Sequence, residues 1–312
     1  MTTTTAPTTT TAPASPLAVE PVFGLTVEDV DTVALVRAVR SFRQRPTVRV
    51  VFQEETAASY YRPALVALEP YADIVGLLYD STALAGASLA EVNARAGSYL
   101  ASLGDLVDIW EIANEINGEW ADEGYPVRAN ARPAATTAKV DALFDRFTAA
   151  HRPTALTAMY MPDCNEWAEN EMFGWLSRNI SARVKAGVTH AWISYYEDNC
   201  TGAVFPLSHW QQIFDHLGGM FPASRLGFGE IGYSNDRWAG PGNVRNARYS
   251  TDEAKVAMMT RYHSLSIATP NYEGGYFWWY AYQDVVPHEG NPLWAGLDSA
   301  FAIQAATLGG GD

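Results

Sequence analysis

Short apolar runs rich in Val, Ile and aromatic residues recur along the chain, and each is followed by a polar loop and a longer amphipathic segment. Short apolar runs between polar loops are typical of buried strands, whereas apolar residues spaced three and four apart are typical of helices that cover a sheet. The pattern therefore predicts a repeated strand and helix unit. It gives eight strands, at residues 22–26, 48–52, 74–79, 107–113, 155–160, 190–195, 226–230 and 275–280.

Two of the helical segments begin with a sequence that fits the capping box, in which a hydroxyl and a carboxylate three residues later bond free backbone amides reciprocally. These starts are Ser88 with Glu91 and Ser250 with Glu253. Segment 134–150 has one apolar face at helical spacing, which predicts a helix packed onto the sheet. That face consists of Val140, Leu143, Phe144 and Phe147.

Alternating strands and helices require a parallel sheet, and eight such units match a (β/α)8 TIM barrel better than an open doubly wound sheet. The open-sheet alternative, a dinucleotide-binding enzyme, is disfavoured because residues 27–31 read VEDVD, without the glycines that a pyrophosphate needs. We predict an α/β fold with one (β/α)8-barrel catalytic domain over residues 18–312. Residues 1–17 are rich in Thr, Ala and Pro, which predicts a disordered tail or linker.

The 312-residue chain carries 35 acidic and 21 basic residues, for a net charge of -14. This charge repels nucleic acid and anionic membrane surfaces, so neither is an expected partner. No apolar run approaches the roughly 20 residues that span a bilayer. Thr/Pro tracts often tether secreted modules, so we expect a secreted or extracellular monomer, although the start of the sequence lacks the basic and apolar regions of a signal peptide.

Two of the apolar runs end on a glutamate. The run VDIWEIANE, which contains the fourth predicted strand, ends at Glu115, and Glu230 ends the seventh predicted strand in LGFGE. In a (β/α)8 barrel the functional residues lie at the carboxyl ends of the strands, so these two side chains are expected at the same face. A pair of carboxylates that flanks one bond is what glycoside cleavage requires.

The stretch from Trp110 to Glu115 resembles the Asn-Glu signature that ends the fourth strand in clan A of the glycoside hydrolases, which includes cellulase-like and β-mannanase-like barrels. The resemblance covers residues 20–305 and implies a retaining β-glycoside hydrolase that needs no cofactor. It implies that Glu115 is the general acid/base, that Asn114 binds the sugar 2-hydroxyl and that Glu230 is the nucleophile.

Three further positions carry the resemblance. Arg49 is similar to the clan's second-strand Arg that orients the nucleophile, and Tyr196, with Tyr195 as the alternative, is similar to the sixth-strand Tyr that bonds it. Trp279, with Trp278 as the alternative, is similar to the sugar platform of the eighth strand. The chain departs from the clan at Ser194, where a His is common, so we expect one hydrogen bond to the sugar to be missing or supplied elsewhere.

Glu111 lies four residues before Glu115 and therefore on the same face of the strand, pointing into the barrel. An unpaired charge there is costly, so Arg49 is its predicted partner. Trp120 and Trp238, in loops after the fourth and seventh strands, are predicted to stack on sugar faces of a β-linked oligo- or polysaccharide attacked internally.

Cys164 and Cys200 follow the fifth and sixth strands, which are neighbours in a barrel, so they are predicted to form a disulfide, with two free thiols as the alternative. The six histidines are scattered, without HExxH or His-x-His at a strand end, so no metal site is predicted. Two other functions fit the same barrel: a carbohydrate-binding protein without catalysis, and a transglycosylase. The first does not require two carboxylates, and the second differs only in the acceptor.

Overall fold

The computed structural model describes residues 20–30, 32–118, 133–162, 170–198, 203–233 and 251–309. Its sheet is a closed barrel of eight parallel strands, in which each strand pairs with the next one along the chain and the eighth pairs with the first. The strands are β1 Val22–Val27, β2 Thr47–Val51, β3 Asp73–Leu77, β4 Ile109–Ala113, β5 Thr154–Met159, β6 His190–Tyr195, β7 Arg225–Ile231 and β8 Tyr272–Trp278.

All eight predicted strands are present, and the (β/α)8 fold class is confirmed. The largest difference is at β8, which begins at Tyr272 instead of residue 275. Gly274 and Gly275 have φ values of +86° and +81°, and a Cβ on Gly275 would lie 2.5 Å from the carbonyl oxygen of Phe228 on β7. Glycine is common in turns and also where two strands lie very close together. In the sequence the glycine pair therefore resembles the end of a turn, and the predicted strand starts too late.

Helices follow the strands and cover the outside of the barrel. None of those in the described part of the chain is long and apolar enough to cross a bilayer. The predicted tail falls within residues 1–19, which lie outside the described residues. The described helices are α1 Thr32–Ser41, α2 Ala58–Leu68, α3 Ser81–Gly86, α4 Leu89–Leu103, α5 Pro133–Ala149, α6 Met172–Asn179, α7 Ala182–Gly187, α8 Leu207–Met220, α9 Asp252–His263, α10 Ala281–Val285 and α11 Pro292–Gly309.

The two predicted capping boxes have different outcomes. The first is confirmed, because the Ser88 hydroxyl accepts from the Glu91 amide at 3.3 Å and the Glu91 carboxylate accepts from the Ser88 amide at 2.7 Å. The second was wrong by one residue. The N-cap of α9 is Thr251, whose hydroxyl accepts from the Ala254 amide at 3.2 Å. Neighbouring Ser and Thr residues cap almost equally well, so the sequence alone does not choose between them.

The main core lies between the barrel and the helices. The predicted apolar face of α5 is buried there, with Val140, Leu143, Phe144 and Phe147 all in the core. A smaller cluster consists only of strand residues and fills the barrel interior: Val22, Val75, Ala155, Trp192 and Phe277. Because side chains fill the interior, the barrel is not a pore, and its chemistry belongs at the carboxyl ends of the strands.

Candidate active site

A buried ion pair inside the barrel supports the site from below. Nε of Arg49 on β2 lies 2.5 Å from Oε2 of Glu111 on β4, and Nη2 lies 2.9 Å from Oε1, with both side chains fully buried. The Thr157 hydroxyl donates to the same Oε1 at 2.7 Å. The predicted partnership of Arg49 with Glu111 is confirmed. Two parallel hydrogen bonds fix the plane of the guanidinium, so its remaining nitrogens have a defined direction.

Arg49 also contacts the glutamate that ends β7. Its Nη2 lies 2.9 Å from Oε1 of Glu230. Nδ2 of Asn114 donates to the same oxygen at 2.8 Å, and the Tyr196 hydroxyl donates to Oε2 at 2.8 Å. Both oxygens of Glu230 are therefore held by donors from β2 and from the ends of β4 and β6. Three donors and one positive charge favour the ionised carboxylate.

Burial raises the pKa of Glu230 to about 7. The Arg49 charge and the Tyr196 hydroxyl oppose this rise, whereas the charges of Asp80 and Glu111 add to it. The carboxyl group is 3% exposed, so its charge is screened little by solvent.

Glu115 lies two residues after the end of β4, in a different environment. Its side chain is half-buried, and one hydroxyl, Oγ of Ser194, donates to Oε1. Burial raises the pKa of Glu115 well above its usual value, and the charges of Glu230 and Asp80 raise it further. The donors and the cation beside Glu230 favour its ionised form, and a charge on Glu230 raises the pKa of Glu115.

The backbone at Glu115 adopts a left-handed conformation with φ of 45°, which is unfavourable for a residue with a side chain. The turn is held from two sides. The Gly118 amide donates to the Glu115 carbonyl at 2.7 Å. The buried Asn117 side chain bonds the backbone of Met159 at 2.7 and 2.8 Å and the carbonyl of Asn170 at 3.0 Å. These contacts anchor the start of the loop to β5 and so direct the Glu115 side chain.

The structure distinguishes the neighbouring aromatic residues that the sequence left open. The Tyr195 hydroxyl donates to the Ala203 carbonyl at 2.7 Å, away from Glu230, whereas Tyr196 bonds Glu230. Trp278 is fully buried and donates to Asp284 at 2.9 Å. Trp279 is half-buried, and the Arg49 guanidinium carbon lies 5.4 Å from the centre of its ring. A sugar-binding role for Trp279 stays a prediction.

Sequence reasoning missed Asp80, which follows β3. Asp80 caps α3, since its Oδ1 accepts from the Ser81 amide at 2.7 Å, and the same oxygen accepts from Nδ2 of Asn114 at 3.1 Å. Its charge raises the pKa of both catalytic candidates, Glu115 and Glu230. The signal was present, because Asp80 is the first acidic residue after an apolar run, which is the rule that selected Glu115 and Glu230.

Several predicted residues fall on parts of the chain that are not described. Trp120 and Trp238 lie outside the described residues, and so do Cys164 and Cys200. Their predicted sugar stacking and disulfide therefore stay predictions. Within the described ranges no group of three His, Cys, Asp or Glu side chains is arranged to hold a metal ion.

The fold is shared with solved structures of low sequence identity. An endo-β-mannanase/endo-β-glucanase from Prevotella bryantii has a TM-score of 0.58 at 11% identity, covering 89% of this chain and 48% of that one. A family GH5-4 broad-specificity endoglucanase from an uncultured bacterium has a TM-score of 0.55 at 10% identity, covering 89% and 86%. A psychrophilic family 10 endo-β-1,4-xylanase has a TM-score of 0.52 at 12% identity, covering 83% and 86%.

These neighbours are glycoside hydrolases, and at 10–12% identity the likeness concerns the barrel fold. No family model matches the sequence, and no curated protein matches it either. The class that the fold defines is a (β/α)8 barrel of the architecture seen in those glycosidases, with two unequal glutamates at the carboxyl ends of β4 and β7.

Proposed function

We propose that the protein is a retaining β-glycoside hydrolase that works by double displacement. The observation that carries the proposal is the unequal surroundings of the two glutamates. Glu230 bonds Arg49, Asn114 and Tyr196, whereas Glu115 accepts one hydroxyl bond and bears a strongly raised pKa. Two carboxyl groups kept in opposite protonation states are what a nucleophile and a general acid require.

In the first step an oxygen of Glu230 attacks the anomeric carbon, and the bond from that carbon to the leaving oxygen breaks. Glu115 transfers its proton to the leaving oxygen, so the alcohol departs neutral and Glu115 becomes a carboxylate. In the second step Glu115 removes a proton from water, the water oxygen attacks the same carbon, and the bond to Glu230 breaks. Both glutamates then regain their starting protonation states.

Neutralisation of Glu230 in the first step lowers the electrostatic cost of ionising Glu115. Glu115 has a raised pKa while Glu230 is charged, and once Glu230 is esterified that contribution disappears. Burial and the charge of Asp80 then remain as the causes that raise the pKa of Glu115. The same residue can thus serve as acid in the first step and as base in the second.

The substrate in this proposal is a β-linked oligo- or polysaccharide that is cleaved internally. Asn114 would hold the 2-hydroxyl beside Glu230, and Trp279 would supply an apolar ring for a sugar face. Three fold neighbours named as an endoglucanase, an endo-β-mannanase/endo-β-glucanase and an endo-β-1,4-xylanase support a β-linked polysaccharide as the substrate class. The net charge of -14 disfavours an acidic one. Stacking of Trp120 and Trp238 on sugar faces stays part of this proposal.

The test is release of new reducing ends from a panel of neutral β-linked glycans and aryl β-glycosides. We expect activity on at least one member, and a loss of at least about a thousand-fold in both Glu230→Gln and Glu115→Gln. Glu69→Gln, an exposed residue just after α2, is the matched control and should retain full activity.

Four outcomes would change the assignment. Proton NMR of the first product should show the β-anomer, and an α-anomer would mean inversion. In a retaining site the two carboxyl groups lie about 5 to 5.5 Å apart, so a crystallographic separation beyond about 6.5 Å would also contradict retention. Glycan binding without turnover would indicate a carbohydrate-binding barrel, and transfer to an added sugar acceptor would indicate a transglycosylase.

A further inference from the structure

Ser194 lies between the two glutamates. It is fully buried on β6, and its Cα is the sheet partner of Glu230, next to a shift in register that begins after Ile193. Its hydroxyl crosses to the other glutamate and donates to Oε1 of Glu115. From the sequence we expected a hydrogen bond to the sugar to be missing at this position. In the structure the Ser194 hydroxyl bonds Glu115.

We propose that Ser194 is a positioning residue for Glu115, which holds Oε1 so that Oε2 is the oxygen that exchanges a proton with the substrate and with water. The inference rests on the proposed function. A carboxylic acid carries one proton, and the oxygen that accepts the Ser194 hydroxyl bond is the poorer place for it. The proton therefore resides on Oε2 in the first step, and Oε2 accepts the proton of water in the second.

A hydroxyl suits this task because it carries no charge in either step. The charged and titratable groups that act on Glu115 come from four elements: Glu230 on β7, Asp80 after β3, Arg49 on β2 and Tyr196 after β6. An imidazole at position 194 would add a group that titrates near neutral pH beside the acid. Ser194 orients the Glu115 carboxyl group without adding a charge, and the charges that shift its pKa come from the other residues.

The first experiment titrates Glu115 in the protein without substrate, using carbon-13-labelled glutamate and NMR. Donation from Ser194 favours the carboxylate, so Ser194→Ala should raise the pKa of Glu115 by at least about half a unit. Ser224→Ala is the matched control, since Ser224 is also buried beside β7 but donates to the Val188 carbonyl at the opposite end of the barrel. It should leave the Glu115 titration unchanged.

The second experiment compares kcat/KM for aryl β-glycosides with good and poor leaving groups. Ser194→Ala should lower kcat/KM about ten-fold or more for poor leaving groups, which need the proton, and much less for good ones. The basic limb of its pH profile should move to higher pH. Ser194→Thr, which keeps the hydroxyl, should restore both properties.

The inference is overturned if Ser194→Ala titrates like the wild type, or if it slows good and poor leaving groups equally. A thermal melt of Ser194→Ala close to that of Ser224→Ala excludes misfolding as the cause of either result. If the wild type cleaves no glycoside, the proposed function fails. The NMR titration still decides whether Ser194 controls the Glu115 carboxyl group.

Discussion

Nδ2 of Asn114 donates to Oε1 of Glu230 at 2.8 Å, across the mouth of the barrel. Asn114 directly precedes Glu115 in the chain, but its side chain contacts Glu230. One dipeptide therefore supplies one of the two glutamates, Glu115, and a hydrogen-bond donor to the other, Glu230. Glu115, directly after Asn114, has a left-handed backbone conformation, and its side chain accepts from Ser194 instead.

Replacing Asn114 by Ala should reduce kcat/KM about 10- to 100-fold, because Glu230 loses a donor and the sugar loses its 2-hydroxyl contact. The measurement is steady-state kinetics on the best substrate of the panel. Asn93→Ala on α4 is the control, since Asn93 is half-buried on that helix and its side chain donates to the Leu89 carbonyl of the same helix. Equal effects of the two variants would contradict a role for Asn114 at the site.

Tyr196→Phe should move the acidic limb of kcat/KM to higher pH. Activity in that limb requires ionised Glu230, and the Tyr196 hydroxyl stabilises the ionised form, so its loss raises the Glu230 pKa above about 7. Tyr195→Phe removes a hydroxyl that bonds the Ala203 carbonyl and should leave the limb in place. A pH profile for each variant distinguishes them, and an unmoved limb in Tyr196→Phe would refute the assignment.

Glu230→Gln should lower the pKa of Glu115. The negative charge of Glu230 is one cause of the raised pKa, and glutamine removes the charge while keeping the shape. Carbon-13 NMR of labelled Glu115 measures the change directly. If the pKa of Glu115 stays where it is in the wild type, burial and the charge of Asp80 account for the rise and Glu230 does not contribute to it.

Asp80→Asn should move both limbs of the pH profile to lower pH. Asp80 raises the pKa of Glu115 and of Glu230, and asparagine removes its charge but can still cap α3. The thermal stability should change little for the same reason. A profile in which only one limb moves would show that Asp80 acts on one glutamate alone.

Arg49→Met should lower the free energy of unfolding by about 3 to 5 kcal/mol, because it leaves Glu111 buried without its cation. Arg62→Met is the comparison and should lower the free energy of unfolding much less, since Arg62 and Asp105 form an ion pair at the surface, where solvent screens the charges. Urea denaturation of both variants measures the difference. If the two variants lose similar free energies of unfolding, the buried pair stabilises the fold no more than the surface pair does.

The sequence predicted the barrel and its catalytic candidates for a physical reason. Strands buried on both faces appear as separate apolar runs, and the residue type at the end of each run remains visible. Arg49 and Glu111 could be paired because a buried charge needs a partner. The start of β8 was misplaced, because close strand approach and a turn both call for glycine.

What the sequence alone determined is the number and order of the strands and the identity of the polar residues that end them, since these follow from local patterns of apolar side chains. The tertiary structure decided which of those residues meet. Ser194 contacts Glu115, Asp80 contacts Asn114 and Tyr196 contacts Glu230 only because closure of the sheet brings distant strand ends together. Partners so far apart in the chain leave no local pattern, and the difference between the two glutamates arises from those partners.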